Sequence, residues 1–238
     1  LNNYTAYCDT SFILEYWQAF VENEGNPIVQ LEKANRPKYF EYIKSLLKSE
    51  NRHERLKPLR RLIDNYSVET NFISSFFALT ELYEKHAEWN FKAIIADATN
   101  IDRTFNKGKK EVGDLITKVF RDKGEERDSI FYALFPHELD NSLFGIEFKD
   151  IENLSLSRLD FHAKYAIFSI LQLGTTDMLH LLAAKHLNAK YFLTFDSDFN
   201  RVKDIIKEVL DLQVVFTPDE MSEFTKKLLP TSALKNKG

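Results

Sequence analysis

The chain has 238 residues, of which 44% are hydrophobic and 29% charged, with only 7 Gly and 6 Pro; this balance fits an ordinary globular protein and excludes collagen-like, low-complexity and disordered classes. Its 32 Lys and Arg against 36 Asp and Glu give a formal charge of −4, which speaks against a partner held by an overall basic surface. The longest apolar stretches, such as Tyr165 to Leu173, are about half of the ~20 residues that a bilayer-spanning helix needs, so no membrane partner is expected.

In chain order, Tyr4 to Cys8 is β-prone and is followed by Asp9-Thr10-Ser11, after which Ile13, Tyr16, Trp17 and Phe20 recur at helical spacing. This predicts strand, turn, helix. Pro37 suits a first helical turn, and Phe40, Ile43, Leu47 and then Leu59, Leu62, Ile63 give apolar faces, so residues 37–65 read as a helical excursion. Thr70 to Ser74 reads as a second strand, with Ser74 or Ser75 capping a helix that carries Leu79, Glu81, Leu82 and His86. Residues 88–156 read as a helical insertion punctuated by Gly108, Gly113, Gly124 and Pro136. Asp160 to Leu173 reads as a buried helix ending at Gly174, and Thr175 or Thr176 as the cap of the next helix, through Leu187. A buried strand Lys190 to Phe195, a helix Arg201 to Leu210, a strand Gln213 to Phe216 and a helix opened by Pro218 complete the pattern. Strands separated by helices imply crossover connections. The expected fold class is therefore α/β, with a mainly parallel central sheet flanked by helices in three layers, and residues 1–238 form one domain.

In such a sheet the functional crevice lies beyond the carboxyl ends of the strands. Asp9 follows the first strand; Asp196, with Asp198 two residues on, follows the strand that ends near Thr194. Asp177 opens the helix before that strand, and Glu81 sits on the helix after the second strand. Each acid has an ordinary structural explanation: Asp9 and Asp177 as helix-start residues, Asp196 and Asp198 as loop-shaping residues, Glu81 as a solvated helix residue. Their joint placement favours convergence. Unit charges about 5 Å apart repel by about 3 kcal/mol at an effective dielectric near 20, so such a cluster calls for a cation. Oxygen ligands without a Cys or His cluster suit Mg²⁺ or Mn²⁺, not Zn²⁺. Ions held this way, in pairs about 3.5 to 4 Å apart, serve phosphodiester hydrolysis.

The segments YCDTSFILEY, SFFALTELYE, GTTDMLHLLAAKHLNAKYFLTFDSDF and QVVFTP resemble, in order, the successive signatures of the PIN-domain nuclease family, the VapC-like ribonuclease superfamily. The resemblance implies a PIN-like, Rossmann-like α/β/α fold and a metal-dependent hydrolase acting on nucleic acid, usually an endoribonuclease on RNA. Matched position by position, Asp9, Glu81, Asp177 and Asp196 stand where the family's catalytic and metal-binding acids stand. Asp198 stands at an accessory acid, and Thr10 or Ser11 and Thr194 at hydroxyl positions near the metals. A toxin with an antitoxin partner, and a homodimer, are further expectations of the resemblance. The spacings of 72 residues from Asp9 to Glu81 and 96 from Glu81 to Asp177 exceed those of the compact VapC-type toxins, which accounts for the enlarged helical middle.

Two basic clusters stand apart from the acids: Arg52, Arg55, Lys57, Arg60 and Arg61, and Lys107, Lys109 and Lys110. They read either as phosphate contacts for nucleic acid or as a solvated helix face and a charged loop. The six histidines show no ligand pairing and read as core or surface residues; His180 and His186, six apart, do not share a helix face. Cys8, the one cysteine, reads as an inert small hydrophobe without a disulfide partner; with no leader pattern at the start of the sequence, a cytoplasmic location is expected. An alternative function is a nucleic-acid or protein-binding module that keeps the fold without activity. A haloacid dehalogenase-type phosphatase would need a second aspartate two residues after the first, where Ser11 stands.

Overall fold

The computed structural model describes residues 5–21, 34, 71–82, 84–85, 110–111, 113–114, 146–151 and 166–228. They fall in two compact units. The first comprises residues 1–16, 52–80 and 141–238, the second residues 17–51 and 81–140. In the second unit every described residue is helical, from 17–21 through 113–114. The helical excursion at 37–65 lies outside the described residues, as does most of 88–145.

The first unit is built on a five-stranded sheet with every neighbouring pair parallel: β1 (Thr5–Cys8), β2 (Asn71–Ser75), β3 (Ile146–Lys149), β4 (Tyr191–Leu193) and β5 (Gln213–Val215), in the order β3-β2-β1-β4-β5. Central strands covered on both faces must be apolar on both. Ala6, Tyr7 and Cys8 of β1 and Tyr191, Phe192 and Leu193 of β4 are accordingly all buried. Each edge strand has one exposed residue, Glu147 in β3 and Gln213 in β5. Within the expected helical insertion at 88–156, Ile146-Glu147-Phe148-Lys149 is a four-residue edge strand paired with Phe72 to Ser75.

Helices α1 (Thr10–Val21), α2 (Thr175–His186), α3 (Ser197–Arg201), α4 (Lys203–Leu210) and α5 (Pro218–Leu228) follow or precede the strands, with further helical runs at 76–82 and 166–170. α2 buries Met178, His180, Leu181, Leu182, Ala183 and Ala184. It is stopped by Leu187 and by Asn188 in the left-handed region, φ 56°, a conformation Asn tolerates better than most residues. Lys190 N–H then donates to Thr5 O at 2.9 Å and launches β4 beside β1. The expected helix over 201–210 is interrupted at Val202, whose φ of −117° separates α3 from α4. The expected buried helix over 160–173 is also different where it is described: Phe168 is buried, but Ile167 and Ile170 are exposed.

The core joins Tyr7, Ile73 and Phe192 of the sheet to Phe168, Leu181, Phe199, Ile206 and Leu210 of the helices. Tyr7 stacks on Phe192 with ring centroids 5.5 Å apart, and Phe12 on Phe195 at 5.6 Å. The second stack pins the start of α1 to the segment just after β4. From β1 the chain moves outward to β2 and β3, and then returns to the other side of β1 to form β4 and β5. The order therefore reverses between β1 and β4, where the loops leave the sheet in opposite directions and open a crevice.

Candidate active site

Asp9 stands immediately after β1 at that reversal. Its N–H donates to Leu193 O at 3.1 Å, one step beyond the β1–β4 ladder, so its side chain is placed by the sheet itself. The carboxylate is buried, only 3% exposed. Phe12 N–H donates to Oδ1 at 2.9 Å, Ser11 Oγ–H to Oδ1 at 2.9 Å and Oδ2 at 3.2 Å, and Thr194 Oγ1–H to Oδ2 at 2.7 Å. Burial nevertheless outweighs these donors, which all favour the charged form, and raises the carboxyl to about 6.

Thr194 and Ser11 tie the ends of the two strands together. Thr194 Oγ1 accepts from Asp196 N–H at 3.0 Å while donating to Asp9, and Ser11 Oγ accepts from Phe195 N–H at 2.9 Å. The two hydroxyls are 3.2 Å apart. Of the two hydroxyl residues expected after Asp9, it is Ser11 that makes these bonds; Thr10 is half-buried at the first position of α1.

Asp196 caps α3, its Oδ1 accepting from Asp198 N–H at 2.8 Å. Asp198 is exposed and stands 3.9 Å from the Arg201 guanidinium. At the head of α2 neither Thr175 nor Thr176 provides the cap. Gly174 occupies the cap position, and its N–H donates to Asp177 Oδ2 at 2.9 Å. The half-buried Asp177 carboxyl is raised by burial and further by the charges of Asp196 and Asp198, against the Gly174 N–H and His180, which lower it. Asp177, Asp196 and Asp198 thus share one electrostatic neighbourhood. His180 also lowers Asp9.

Glu81 is half-buried on the helical run after β2 and belongs to the second unit. Of the basic residues, Lys110 is helical and exposed in the second unit; Arg52, Arg55, Lys57, Arg60, Arg61, Lys107 and Lys109 lie outside the described residues. Cys8 is buried, and its thiol is pushed up by that burial, as an inert core residue should be.

One polar cluster beside the acids went unnoticed in the sequence. Tyr7 Oη is hydrogen-bonded to Ser75 Oγ at 2.6 Å and to His180 Nδ1 at 2.8 Å, all three residues being buried. Ser75 therefore bonds across the sheet instead of capping the following helix, and Ser74 Oγ–H donates to Cys8 O at 2.7 Å. The available signal was a phenol in a strand, two residues before Asp9, and an imidazole one helical turn after Asp177.

A family model described as PIN domain matches residues 137–205. The match supports a PIN-domain family member. It spans β3, α2, β4 and α3, and with them Asp177, Asp196 and Asp198; Asp9 immediately follows β1, the strand between β2 and β4 in the same sheet. No curated protein and no solved structure matches the chain. The all-parallel sheet with its helices is consistent with a PIN-like three-layer α/β fold. PIN domains are generally metal-dependent nucleases acting on nucleic acid, so a nuclease-type function is indicated in general terms. No helix among the described residues is long and apolar enough to cross a membrane.

A divalent ion is compatible with the chemistry of this donor set. Carboxylate and hydroxyl oxygens are hard ligands suited to Mg²⁺ or Mn²⁺, and the raised carboxyls of Asp9 and Asp177 are those a nearby cation would relieve. Among the described residues, however, no three His, Cys, Asp or Glu side chains are grouped so as to hold a metal as they stand. Asp9, Asp177 and Asp196 each direct an oxygen to a backbone N–H.

Proposed function

We propose that this protein is a divalent-metal-dependent nuclease, specifically an endoribonuclease that hydrolyses RNA phosphodiester bonds. The observation that carries the reading is the buried Asp9 at the β1–β4 reversal, linked through Thr194 to Asp196, with Asp177 feeling the charges of Asp196 and Asp198. Asp9, Asp177 and Asp196 would hold Mg²⁺ or Mn²⁺, with Asp198 as accessory acid. Glu81 joins them on the family resemblance alone. A bound divalent ion would supply charge neutralisation at the scissile phosphate and a more acidic water.

The chain's own residues contribute orientation and a low-dielectric floor. Thr194 and Ser11 fix both Asp9 oxygens, so the carboxylate reorganises little when charge develops nearby. Asp177 sits in the first turn of a helix, where the backbone dipole favours its anionic form. The narrower assignment to the VapC-like toxins, with an antitoxin partner and a homodimer, likewise rests on the resemblance alone.

The test is cleavage of end-labelled RNA and DNA oligonucleotides with Mg²⁺, Mn²⁺ or EDTA, by the natural chain and by Asp9→Asn and Asp196→Asn. Metal-dependent cleavage of RNA, lost in both variants, is the expected result. Undiminished cleavage in both overturns the site. A second reading, the inactive binding module, is favoured by the absence of a ready three-acid group among the described residues. A ligand that binds the folded state must raise the melting midpoint, so no shift at millimolar Mn²⁺ would select that reading.

A further inference from the structure

The Tyr7, Ser75 and His180 cluster joins three separate elements of the first unit: β1, β2 and α2. A buried phenol has one proton to give and two acceptor lone pairs. Burial pushes Tyr7 well above the usual range, so it stays a phenol with a proton that it can give to either partner. Whichever way the protons run, the imidazole is bonded through Nδ1, and the ring of Tyr7 is fixed against Phe192, with interplanar angle 7°.

His180 lies three residues after Asp177, on the same side of α2. A helix packed on a sheet by Met178, Leu181 and Leu182 can rotate slightly about its axis at small apolar cost, because aliphatic contacts are not directional. A buried hydrogen bond is directional. On a radius near 5 Å, a rotation of about 10° would move a side-chain oxygen by about 1 Å, enough to matter to a reactive constellation.

We propose that His180 is a positioning residue: its bond to Tyr7 sets the rotation of α2 on the sheet and thereby presents Asp177 to Asp196 and Asp198 at the start of α3. This deepens the nuclease reading and rests on it. Its basis is the geometry linking Tyr7 to Asp9 by two residues of chain, His180 to Asp177 by one helical turn, and the two to each other at 2.8 Å.

The test uses the full chain, with Tyr7→Phe, His180→Leu, the double variant, and His180→Asn, whose amide can reach where Nδ1 stood. Two readouts are taken: the Mn²⁺ concentration giving half the maximal rise in melting midpoint, and metal-free amide exchange along residues 175–186. The loss of one buried hydrogen bond is commonly about tenfold in an equilibrium. Tyr7→Phe and His180→Leu should each raise the Mn²⁺ half-point by about that factor and speed exchange in the first turn of α2, the double variant should match the singles, and His180→Asn should restore both. Unchanged half-points and exchange in Tyr7→Phe and His180→Leu, or additive losses in the double variant, overturn the positioning role. If the natural chain shows no Mn²⁺ response, the nuclease reading fails and this role fails with it; a response that is equal in all variants sinks the positioning role alone.

Discussion

Asp9→Asn should make the metal-free protein more stable at neutral pH, not less. The folded carboxyl is raised by burial to about 6, whereas an unfolded aspartate titrates near 3.9. Between about pH 4 and pH 6 the folded state therefore keeps a proton that the unfolded state has released, and stability falls as pH rises through that window. A gap of about two pH units corresponds to about 3 kcal/mol, all of it lost by pH 7. Asparagine has the same shape and no charge. Its oxygen can still accept from Phe12 N–H, and its amide can donate to Thr194 Oγ1 or Ser11 Oγ, because hydroxyls rotate to suit. The expected gain at pH 7 is up to about 3 kcal/mol, or about 6–12 °C in melting midpoint for a chain of this size. The assay is a set of calorimetric or dichroism melts from pH 4 to pH 7.5, with EDTA and then with Mn²⁺. The natural chain should lose stability from pH 4 to 6 and regain it with Mn²⁺, while Asp9→Asn should show a clearly shallower loss, left by Asp177, and a weaker Mn²⁺ response. A variant that melts lower than the natural chain at pH 7, or that keeps the same slope, refutes the argument that a buried charge is held here at a cost.

Three further substitutions separate scaffold from site. Thr194→Val removes both the donor to Asp9 and the acceptor for Asp196 N–H; it should cost about 1–3 kcal/mol in urea titrations and lower cleavage, and Thr194→Ser should recover both. Glu220→Ala tests a remote cap: Glu220 Oε2 accepts from Phe216 and Thr217 N–H, Thr217 Oγ1 accepts from Glu220 N–H, and Lys203 pairs with the same carboxylate. Its loss should cost about 1–2 kcal/mol with cleavage intact. Burial alone would raise Glu220, but Lys203 and the two N–H groups hold it below the usual range, so its contribution is present at neutral pH and disappears on acidification through that lowered value; the variant's deficit should shrink accordingly. Gly174→Ala has a permitted backbone, φ −66° and ψ 159°, but its new methyl would lie 3.0 Å from Asp177 Oδ2. The melting midpoint should stay near that of the natural chain while the Mn²⁺ response weakens; an unchanged Mn²⁺ response would mean that the Asp177 carboxylate has no part in binding.

Much of the sheet could be read in advance because a buried parallel strand is an uninterrupted apolar run ended by a polar residue. Ala6-Tyr7-Cys8 before Asp9, and Tyr191-Phe192-Leu193 before Thr194, meet that description. β3 does not. Four residues with two charges on an edge strand carry too little pattern, and their strand state comes from pairing with β2, a tertiary effect. The exposed Ile167 and Ile170 reverse the rule that an apolar run is buried, which holds for averages and not for each residue. The positions of Asp9 after a strand, Asp177 in a first helical turn and Asp196 just after a strand were legible. His180 was not, since a single histidine on an apolar face has no period or spacing, and its meaning depends on Tyr7, 173 residues away.

The residues proposed for chemistry also hold the local structure, and the two roles share a cause. A carboxylate that follows a strand and precedes a helix meets free N–H groups, so it caps; the same position opens on the crevice at the sheet's carboxyl end, so it can meet a cation. Asp196 shows how the roles can be separated. Its Oδ1 accepts from Asp198 N–H at 2.8 Å, a task that asparagine performs about as well as aspartate and alanine does not perform at all. Asp196→Asn should therefore melt like the natural chain, and Asp196→Ala should lose about 1 kcal/mol, yet both should abolish cleavage, because an amide gives a divalent ion no negative charge. Were Asp196→Asn to cleave RNA as well as the natural chain while only Asp196→Ala failed, the cap would explain everything Asp196 does, and the acids at this end of the sheet would have to be read as helix starts.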